Sequence, residues 1–192
     1  MRFILASSSP RRREILTKLG YKFDAVSSAA KERCSFRRPH LIVKDLAFKK
    51  AFDVARLYPD AVVIGGDTIV YCKGRVLGKP KSKADALKIL RMENGSWQKV
   101  YSGLALICLK RKAAVCGYDV TACKARRLSE AQLKDLAGRH MDKAGAYAMQ
   151  DKEDYFIERI RGEYDNVVGF PSELFKKMLK EMQKYLDKGD IR

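Results

Sequence analysis

Short apolar strand patterns alternate with amphipathic helix patterns along almost all of this chain of 192 residues. Apolar runs of strand length, such as Ala61–Ile64, lie between segments in which apolar residues recur at helical spacing, as in Pro39–Tyr58. An interleaved order of this kind favours an α/β fold in which helices flank a mixed sheet. The length suits one ordinary domain, so we expect a single domain over residues 1–187 and a C-terminal tail over 188–192 that frays.

Turn and cap residues predict where these elements begin and end. The expected strands are Arg2–Ala6, Phe23–Val26, Ala61–Ile64, Thr68–Tyr71, Trp97–Leu109, Ala113–Ala125 and Phe156–Ile160, with a small hairpin at Lys73-Gly74. Helices are expected to begin near Pro10, Pro39, Ser82, Ser129 and Ser172. Ser129 and Gln132 have the spacing of a capping box, and Gly65-Gly66-Asp67 is typical of a turn between two strands.

The chain is strongly basic. It carries 40 Lys and Arg residues against 23 Asp and Glu residues, which gives a formal net charge of +17. A cationic excess of this size indicates an anionic partner, such as nucleotide phosphates, nucleic acid or a membrane surface.

Apolar runs and cysteine spacing argue against a membrane-spanning, a secreted or a zinc-binding protein. No run approaches the roughly 18 residues of a membrane span. The apolar stretch in Met1–Ala6 is too short for a signal peptide, so we predict a cytoplasmic protein without a membrane partner. The five cysteines include no CxxC pair, and with only two histidines they form no zinc-binding pattern. We therefore expect reduced thiols.

A serine-rich turn and three arginines form the first candidate site. Ser9 suits the N-cap and Pro10 the first position of a helix, whose free backbone N–H groups attract anions. Arg11-Arg12-Arg13 follow in the first turn, where their charge opposes the helix dipole. Guanidinium groups match phosphate oxygens, so the run favours a phosphate site. A capped helix with a solvated basic face is the alternative.

The segment Gly65-Gly66-Asp67-Thr68 is the second candidate, because it adds one carboxylate and one hydroxyl to the end of an apolar strand. Active-site acids in α/β proteins commonly lie at strand ends, where Asp67 could hold a divalent cation or accept a proton from water. A turn aspartate without a catalytic role is the alternative. Neither GxGxxG nor GxxxxGK[ST] occurs, which excludes a dinucleotide fingerprint and a P-loop.

Two lysines and one glutamine are weaker candidates. Lys50 lies in the long expected helix, and Lys79 lies between glycine and proline in a tight loop. The small residues of Lys143–Gln150 let the backbone approach a ligand, and the Gln150 amide can both donate to and accept from a base edge. Taken one at a time, each also fits a solvated surface residue.

In their order along the chain, these motifs resemble those of the Maf family, the septum-formation-inhibitor-type nucleoside triphosphate pyrophosphatases. The opening run is similar to the family's LASxSPRRxEL motif, Gly65–Thr68 to its GADT motif with Gly66 for alanine, and Gly145–Gln150 to its GAYAIQ segment. The other matches are Lys50 in an LAxxKA helix, Lys79 in a KP loop, and Gly162–Pro171 beside a GxYxNVxGLP segment. The resemblance extends over nearly the whole chain.

The resemblance implies an architecture of the Maf and inosine-triphosphatase type, with a cleft for a nucleotide. It implies hydrolysis of a nucleoside triphosphate between the α and β phosphates, with a divalent metal, expected to be Mg²⁺, at Asp67 and Glu32. Both carboxylates would be catalytic. Glu32 falls on the acidic residue of a family Asp-Glu pair, and Lys31 replaces its partner.

The substrate-binding residues that the resemblance implies are Ser7, Ser9, Arg11, Arg12, Lys50, Thr68, Lys79 and Gln150. Of these, Arg11, Thr68 and Gln150 would tune the choice of base, in a combination that resembles the branch acting on dTTP and UTP. The chain departs from the family pattern at Gln98, where histidine is usual.

Two other functions stay open at this stage. The net charge of +17 would suit a nucleic-acid-binding module without catalysis, although no recognised nucleic-acid-binding motif is present. A purine pyrophosphatase of the inosine-triphosphate type is the second alternative. A homodimer would be in keeping with the resemblance.

Overall fold

A computed structural model describes residues 1–151 and 153–187, so the tail predicted over 188–192 lies outside the described residues. The strands are β1 (Phe3–Leu5), β2 (Phe23–Ala25), β3 (Val62–Cys72), β4 (Arg75–Leu77), β5 (Trp97–Cys108), β6 (Ala113–Ala125) and β7 (Ile157–Arg161). The helices are α1 (Pro10–Lys18), α2 (Pro39–Ala55), α3 (Lys83–Glu93), α4 (Glu130–Leu136), α5 (Tyr164–Val168) and α6 (Ser172–Asp187), with a 3₁₀ turn at Ala144–Ala146.

The strands belong to one mixed sheet, which confirms the predicted α/β class. Hydrogen-bonded neighbours follow the order β2-β1-β3-β5-β6-β7, and β4 pairs with β3. Strand β1 is parallel to both β2 and β3. Strand β4 is antiparallel to β3, and β7 is antiparallel to β6. The parallel pairs fit the helices that connect their strands, whereas the antiparallel pair β3 and β4 is a tight hairpin.

The chain forms two compact units, each with its own apolar core. The first consists of Met1–Asp67, Ser102–Asp119 and the described residues from Gly169 onward. Its core residues include Ile4, Ala47, Val54, Val63, Ala105 and Ile107. The second consists of Thr68–Tyr101 and Val120–Val168. Its core residues include Val70, Leu90, Val100, Cys123, Leu136 and Phe156.

The predicted turn at Gly65-Gly66-Asp67 is wrong, because β3 continues through all three residues. A Cβ atom added to Gly65 would lie 2.7 Å from the amide nitrogen of Ala51 in α2 and would overlap the carbonyl oxygen of Ala47. Gly65 therefore allows a helix to pack directly on the strand backbone and makes no turn. Asp67 consequently lies inside a strand and is buried.

The structure confirms the capping residues predicted for α3 and α4. Ser129 and Gln132 form the predicted capping box of α4, and the Ser82 side chain caps α3. The Asp85 carboxylate accepts the backbone N–H of Lys81, the residue before that cap. The short helix α5 was not predicted.

Two findings bear on the class of protein. Among the described residues, no helix is long and apolar enough to cross a membrane. All five cysteines lie in the described part of the chain and are free thiols, in agreement with the expectation of reduced cysteines.

Candidate active site

The side chains of Asp67, Lys50 and Glu32 meet in the first unit. The Lys50 Nζ atom donates to Asp67 Oδ1 at 2.7 Å and lies 2.6 Å from Glu32 Oε1. Ala51 of α2 packs on Gly65, which shares a face of β3 with Asp67 because strand side chains alternate. Close packing of helix on strand thus places Lys50 beside the carboxylate. The side chains of Lys50 and Asp67 are 16% and 11% exposed, whereas that of Glu32 is 62% exposed.

The electrostatic surroundings of Asp67 suit a proton acceptor. Burial raises the pKa of the Asp67 carboxyl above its ordinary value, and the negative charge of Glu32 adds to the rise. Lys50 and Arg12 oppose it, because their positive charges favour the ionised carboxylate. A dehydrated carboxylate next to cations, with its pKa shifted upward, is typical of catalytic acids and bases.

Ser7 and Arg12 form the second part of the site. Arg12 Nη1 donates to Ser7 Oγ at 3.2 Å, and Arg12 Nε donates to the carbonyl oxygen of Gly169 at 2.9 Å. Ser7 Oγ also accepts the backbone N–H of Ser9. Ser9 is the N-cap of α1 as predicted, but within the described residues its side chain makes no capping hydrogen bond. The start of α1 therefore keeps the anion-attracting character that the sequence indicates.

The Arg12 guanidinium lies against the backbone of β3. A Cβ atom added to Gly66 would be 3.3 Å from Arg12 Nε, so the guanidinium lies next to the residue that precedes Asp67. Burial lowers the pKa of Arg12, the charge of Arg11 lowers it further, and Asp67 and Glu32 raise it. Arg11 and Arg12 therefore belong to the same electrostatic environment as the two carboxylates.

The carboxylates of Asp67 and Glu32 fit a Mg²⁺ ion whose other ligands are phosphate oxygens and water. Among the described residues, no group of three or more His, Cys, Asp or Glu side chains could enclose a metal ion. Asp67 and Glu32 nevertheless converge on one ammonium group. Two convergent carboxylates are enough for Mg²⁺, because it is commonly held by one or two carboxylates together with substrate phosphates and water.

The remaining predicted site residues belong to the second unit. Lys79 and Gln150 are exposed, and Thr68 is partly buried directly after Asp67 in β3. The backbone N–H of Gly145 donates to the carbonyl oxygen of Gly78 at 3.3 Å. This hydrogen bond joins the loop that carries Lys79 to the segment that leads to Gln150.

The sequence missed two features. The Gly169 carbonyl that orients Arg12 has no side chain, so only its place in the Gly162–Pro171 motif marks it. Among the described residues, side-chain polar atoms of Glu93, Gln98 and Tyr147 are also buried without a hydrogen-bond partner, and of these three the sequence singles out only Gln98, as a departure from the family pattern.

Comparisons with known proteins agree with these motifs. The sequence profile of the family described as "Maf-like protein" matches residues 2–182. A dTTP/UTP pyrophosphatase of Elusimicrobium minutum is 58% identical over 181 residues, which are 94% of this chain and 98% of that protein. A dTTP/UTP pyrophosphatase of Thermococcus kodakarensis is 44% identical over 93% of this chain and 95% of that protein. Among solved structures, the Ham1 protein of Staphylococcus aureus is similar at a TM-score of 0.48 and 12% identity, over 65% of this chain and 72% of that chain.

Proposed function

Because this chain belongs to the family of Maf-like proteins, we propose that it is a nucleoside triphosphate pyrophosphatase that hydrolyses dTTP and UTP to the monophosphate and pyrophosphate. The observation that carries this proposal is the buried Asp67 carboxylate, held by Lys50 and faced by the Arg12 guanidinium. A water-activating carboxylate beside several cations is what cleavage of a phosphoanhydride requires. We assign the protein to clearance of unwanted or modified pyrimidine nucleotides.

In the proposed reaction, Asp67 orients the attacking water and accepts its proton. Lys50 holds the carboxylate in place and favours its ionised form. The water oxygen bonds to the α phosphorus, the bond from that phosphorus to the oxygen that bridges the α and β phosphates breaks, and pyrophosphate leaves with the bridging oxygen. Arg11, Arg12 and Lys50 neutralise the negative charge that grows on the phosphate oxygens during cleavage, which lowers the barrier.

We assign a divalent metal, Mg²⁺ by preference, to Asp67 and Glu32. When bound, it would lower the pKa of a water molecule and neutralise phosphate charge. The convergence of both carboxylates on Lys50 supports this assignment. In the metal-free protein, the single positive charge of Lys50 offsets part of their negative charge.

The other proposed substrate contacts follow the chemistry of each side chain. Ser7 and Ser9 present side-chain hydroxyl groups at the start of α1, and these can donate hydrogen bonds to phosphate oxygens. Lys79 contributes a further cation for the phosphates. Thr68 and Gln150, together with Arg11, set the choice of base, since hydroxyl and amide groups can both donate and accept.

We further propose that the protein acts in the cytoplasm, a location supported by its five free thiols. Assembly into a homodimer stays a prediction from the resemblance.

A nucleotide panel tests the proposed activity. Pyrophosphate release should be fastest with dTTP and UTP, should require Mg²⁺, and should stop with EDTA. A preference for ITP would support the purine alternative and contradict our proposal. A protein that releases no pyrophosphate from any nucleotide, but binds DNA with a steep salt dependence, would be the nucleic-acid-binding module.

Substitution of Arg12 tests its proposed binding to the phosphates of the substrate. We expect Arg12→Ala to lose roughly 1.5–3 kcal/mol of transition-state stabilisation, the usual range for a hydrogen bond to a charged group. The measurement is kcat/KM for dTTP together with the affinities for dTTP and dTMP. Arg13→Ala is the matched control, because Arg13 is exposed in the same helical turn. Equal losses of dTTP and dTMP affinity would mean that Arg12 does not contact the β and γ phosphates.

Substitution of Gln150 tests base recognition. The Gln150 amide can accept from N3–H of thymine or uracil and donate to a ring carbonyl. We expect Gln150→Ala to reduce the preference for dTTP over purine triphosphates and to leave the metal requirement unchanged. Gln150→Glu should weaken dTTP and UTP recognition, because an ionised carboxylate cannot donate. An identical ranking of dTTP, UTP, CTP and GTP in all three proteins would remove Gln150 from the base site.

A further inference from the structure

A buried carboxyl group without a partner lies at the end of α3 in the second unit. The Glu93 side chain is fully buried, and within the described residues neither of its oxygen atoms has a hydrogen-bond partner. Within the described residues the Gln98 amide and the Tyr147 hydroxyl are also buried and make no hydrogen bond of normal geometry, although the Gln98 side chain is close enough to act on that hydroxyl. A polar group left unsatisfied in the interior costs about 1–3 kcal/mol, so a cluster of them indicates a constraint other than packing.

The surroundings of Glu93 favour its neutral form. Glu93 is the last residue of α3, where the helix dipole opposes a negative charge. Burial raises its pKa well above the ordinary glutamate value, and the nearby Asp154 carboxylate adds to the rise. Cys72 and Cys123 also lie within its electrostatic reach, and burial raises the pKa of both thiols. No cation among the described residues pairs with Glu93, and a buried carboxyl group without one keeps its proton.

A neutral carboxyl group can do what a carboxylate cannot, which is to donate a hydrogen bond. It offers one O–H donor and acceptor oxygens, and the primary amide of Gln98 offers the complementary pair. Burial raises the pKa of the Tyr147 hydroxyl well above its ordinary value. The nearby Cys123 and Glu93 side chains add to the rise, and the Gln98 side chain opposes it. The three side chains thus belong to one buried polar cluster.

This cluster contacts the segment that leads to Gln150. A Cβ atom added to Gly145 would lie 3.1 Å from Glu93 Oε1 and 2.7 Å from the Tyr147 ring. Gly145 and Ala146 both have positive φ angles, 79° and 60°, a conformation that is strained for alanine. Strain of this kind persists only where the surroundings fix it. Asp154 holds the same segment at Ala148, because its carboxylate accepts the backbone N–H of Ala148 at 2.6 Å.

We propose that Glu93 acts as a neutral carboxylic acid that, with Gln98 and Tyr147, holds the Gly145–Gln150 segment in the conformation that reads the base. This inference rests on the proposed function, since it gives the proposed base-reading segment its support. Glu93 is a positioning residue, because it acts through the segment and not on the nucleotide.

The first experiment measures the protonation of Glu93 and needs no substrate. In infrared spectra of the folded protein near neutral pH, we expect a carbonyl band of a protonated carboxylic acid that is absent in Glu93→Gln. A raised pKa in the folded state makes wild-type stability fall as pH rises above the ordinary glutamate pKa, because unfolding then releases a proton. Glu93→Gln should lack this part of the pH dependence. An ionised Glu93, with the same pH dependence of unfolding in both proteins, would overturn the proposal.

The second experiment measures nucleotide preference. Glu93→Gln keeps a neutral donor and acceptor, so we expect the wild-type ratio of kcat/KM for dTTP over GTP. Glu93→Leu keeps similar volume but cannot form hydrogen bonds, and we expect that ratio to fall about tenfold, the equivalent of one lost hydrogen bond. Turnover at saturating dTTP should change little, because the phosphate-binding residues are untouched. Val70→Ala removes volume from the same core and should leave the ratio unchanged.

The results separate this inference from the proposed function. If the wild-type protein hydrolyses dTTP and UTP but Glu93→Leu keeps the wild-type ratio of kcat/KM for dTTP over GTP, the positioning role is wrong. The proposed function is then unaffected. A wild-type protein that hydrolyses neither nucleotide would overturn the proposed function, whatever the infrared spectra show for Glu93.

Discussion

Asp67→Asn is expected to lower kcat for dTTP by about two orders of magnitude or more, with the fold intact. That is the usual scale for loss of a general base or a metal ligand. An amide has nearly the shape of the carboxylate but cannot accept the proton of water at neutral pH. The measurement is steady-state pyrophosphate release, with circular dichroism and urea unfolding to check the fold. Asp60→Asn, at an exposed aspartate in the same unit, is the matched control.

The pH profile gives a second check on Asp67. The proposed reaction needs the ionised Asp67 carboxylate, so wild-type activity should fall as pH decreases through the pKa of Asp67. Because burial raises the pKa of the metal-free carboxyl, the fall should begin above the range of an ordinary aspartate at subsaturating Mg²⁺, and it should move to lower pH as Mg²⁺ saturates the carboxylate. A folded Asp67→Asn variant with wild-type kcat would show that another group activates the water.

Gly65→Ala is expected to destabilise the protein by about 3 kcal/mol, at the upper end of the usual cost of overpacking. The added methyl group would meet the backbone of α2 at Ala51 and Ala47, and backbone atoms cannot rotate away as a side chain can. Displacement of α2 would also move Lys50 away from Asp67, so activity should fall along with stability. The free energy of unfolding from urea denaturation and kcat for dTTP are the two measurements.

Gly66→Ala is the matched control for this change. At Gly66, the three atoms nearest to an added Cβ all belong to side chains, with atoms of Arg12 and Leu104 at 3.3 Å. A displacement of a few tenths of an ångström relieves such contacts, and alanine is the residue of the family motif at this position. If Gly65→Ala were no less stable than Gly66→Ala, the close packing of α2 on β3 would not be the reason for glycine at residue 65.

Local signals in the sequence were enough to predict where most elements begin. Pro10 begins α1, and Ser129 with Gln132 forms the capping box of α4, because caps depend on residues three or four apart. The Gly65-Gly66 pair misled the prediction because glycine serves both turns and close packing. Only the position of α2 separates the two, and that position depends on contacts distant in sequence.

The composition of the candidate site was easier to predict than its arrangement. Asp67, Lys50 and Arg12 were identified from motifs, but the spacing of Lys50 and Asp67 does not show that they form an ion pair. Glu93 gave no signal at all, because a glutamate at the end of a helix is ordinarily solvated. Its burial follows from the packing of α3 in the second core, which no local pattern records.

The hydrogen bond from Arg12 to the Gly169 carbonyl joins residues 157 positions apart. During synthesis, the amino-terminal arginine emerges from the ribosome long before the glycine that orients it. A nascent chain can form β1 and α1 early, but the Arg12 guanidinium cannot make this hydrogen bond until 157 further residues have been made. The proposed phosphate-binding end of the site is thus completed by a segment that is translated well after Arg12, and a chain that stops short of Gly169 cannot orient Arg12 through that carbonyl.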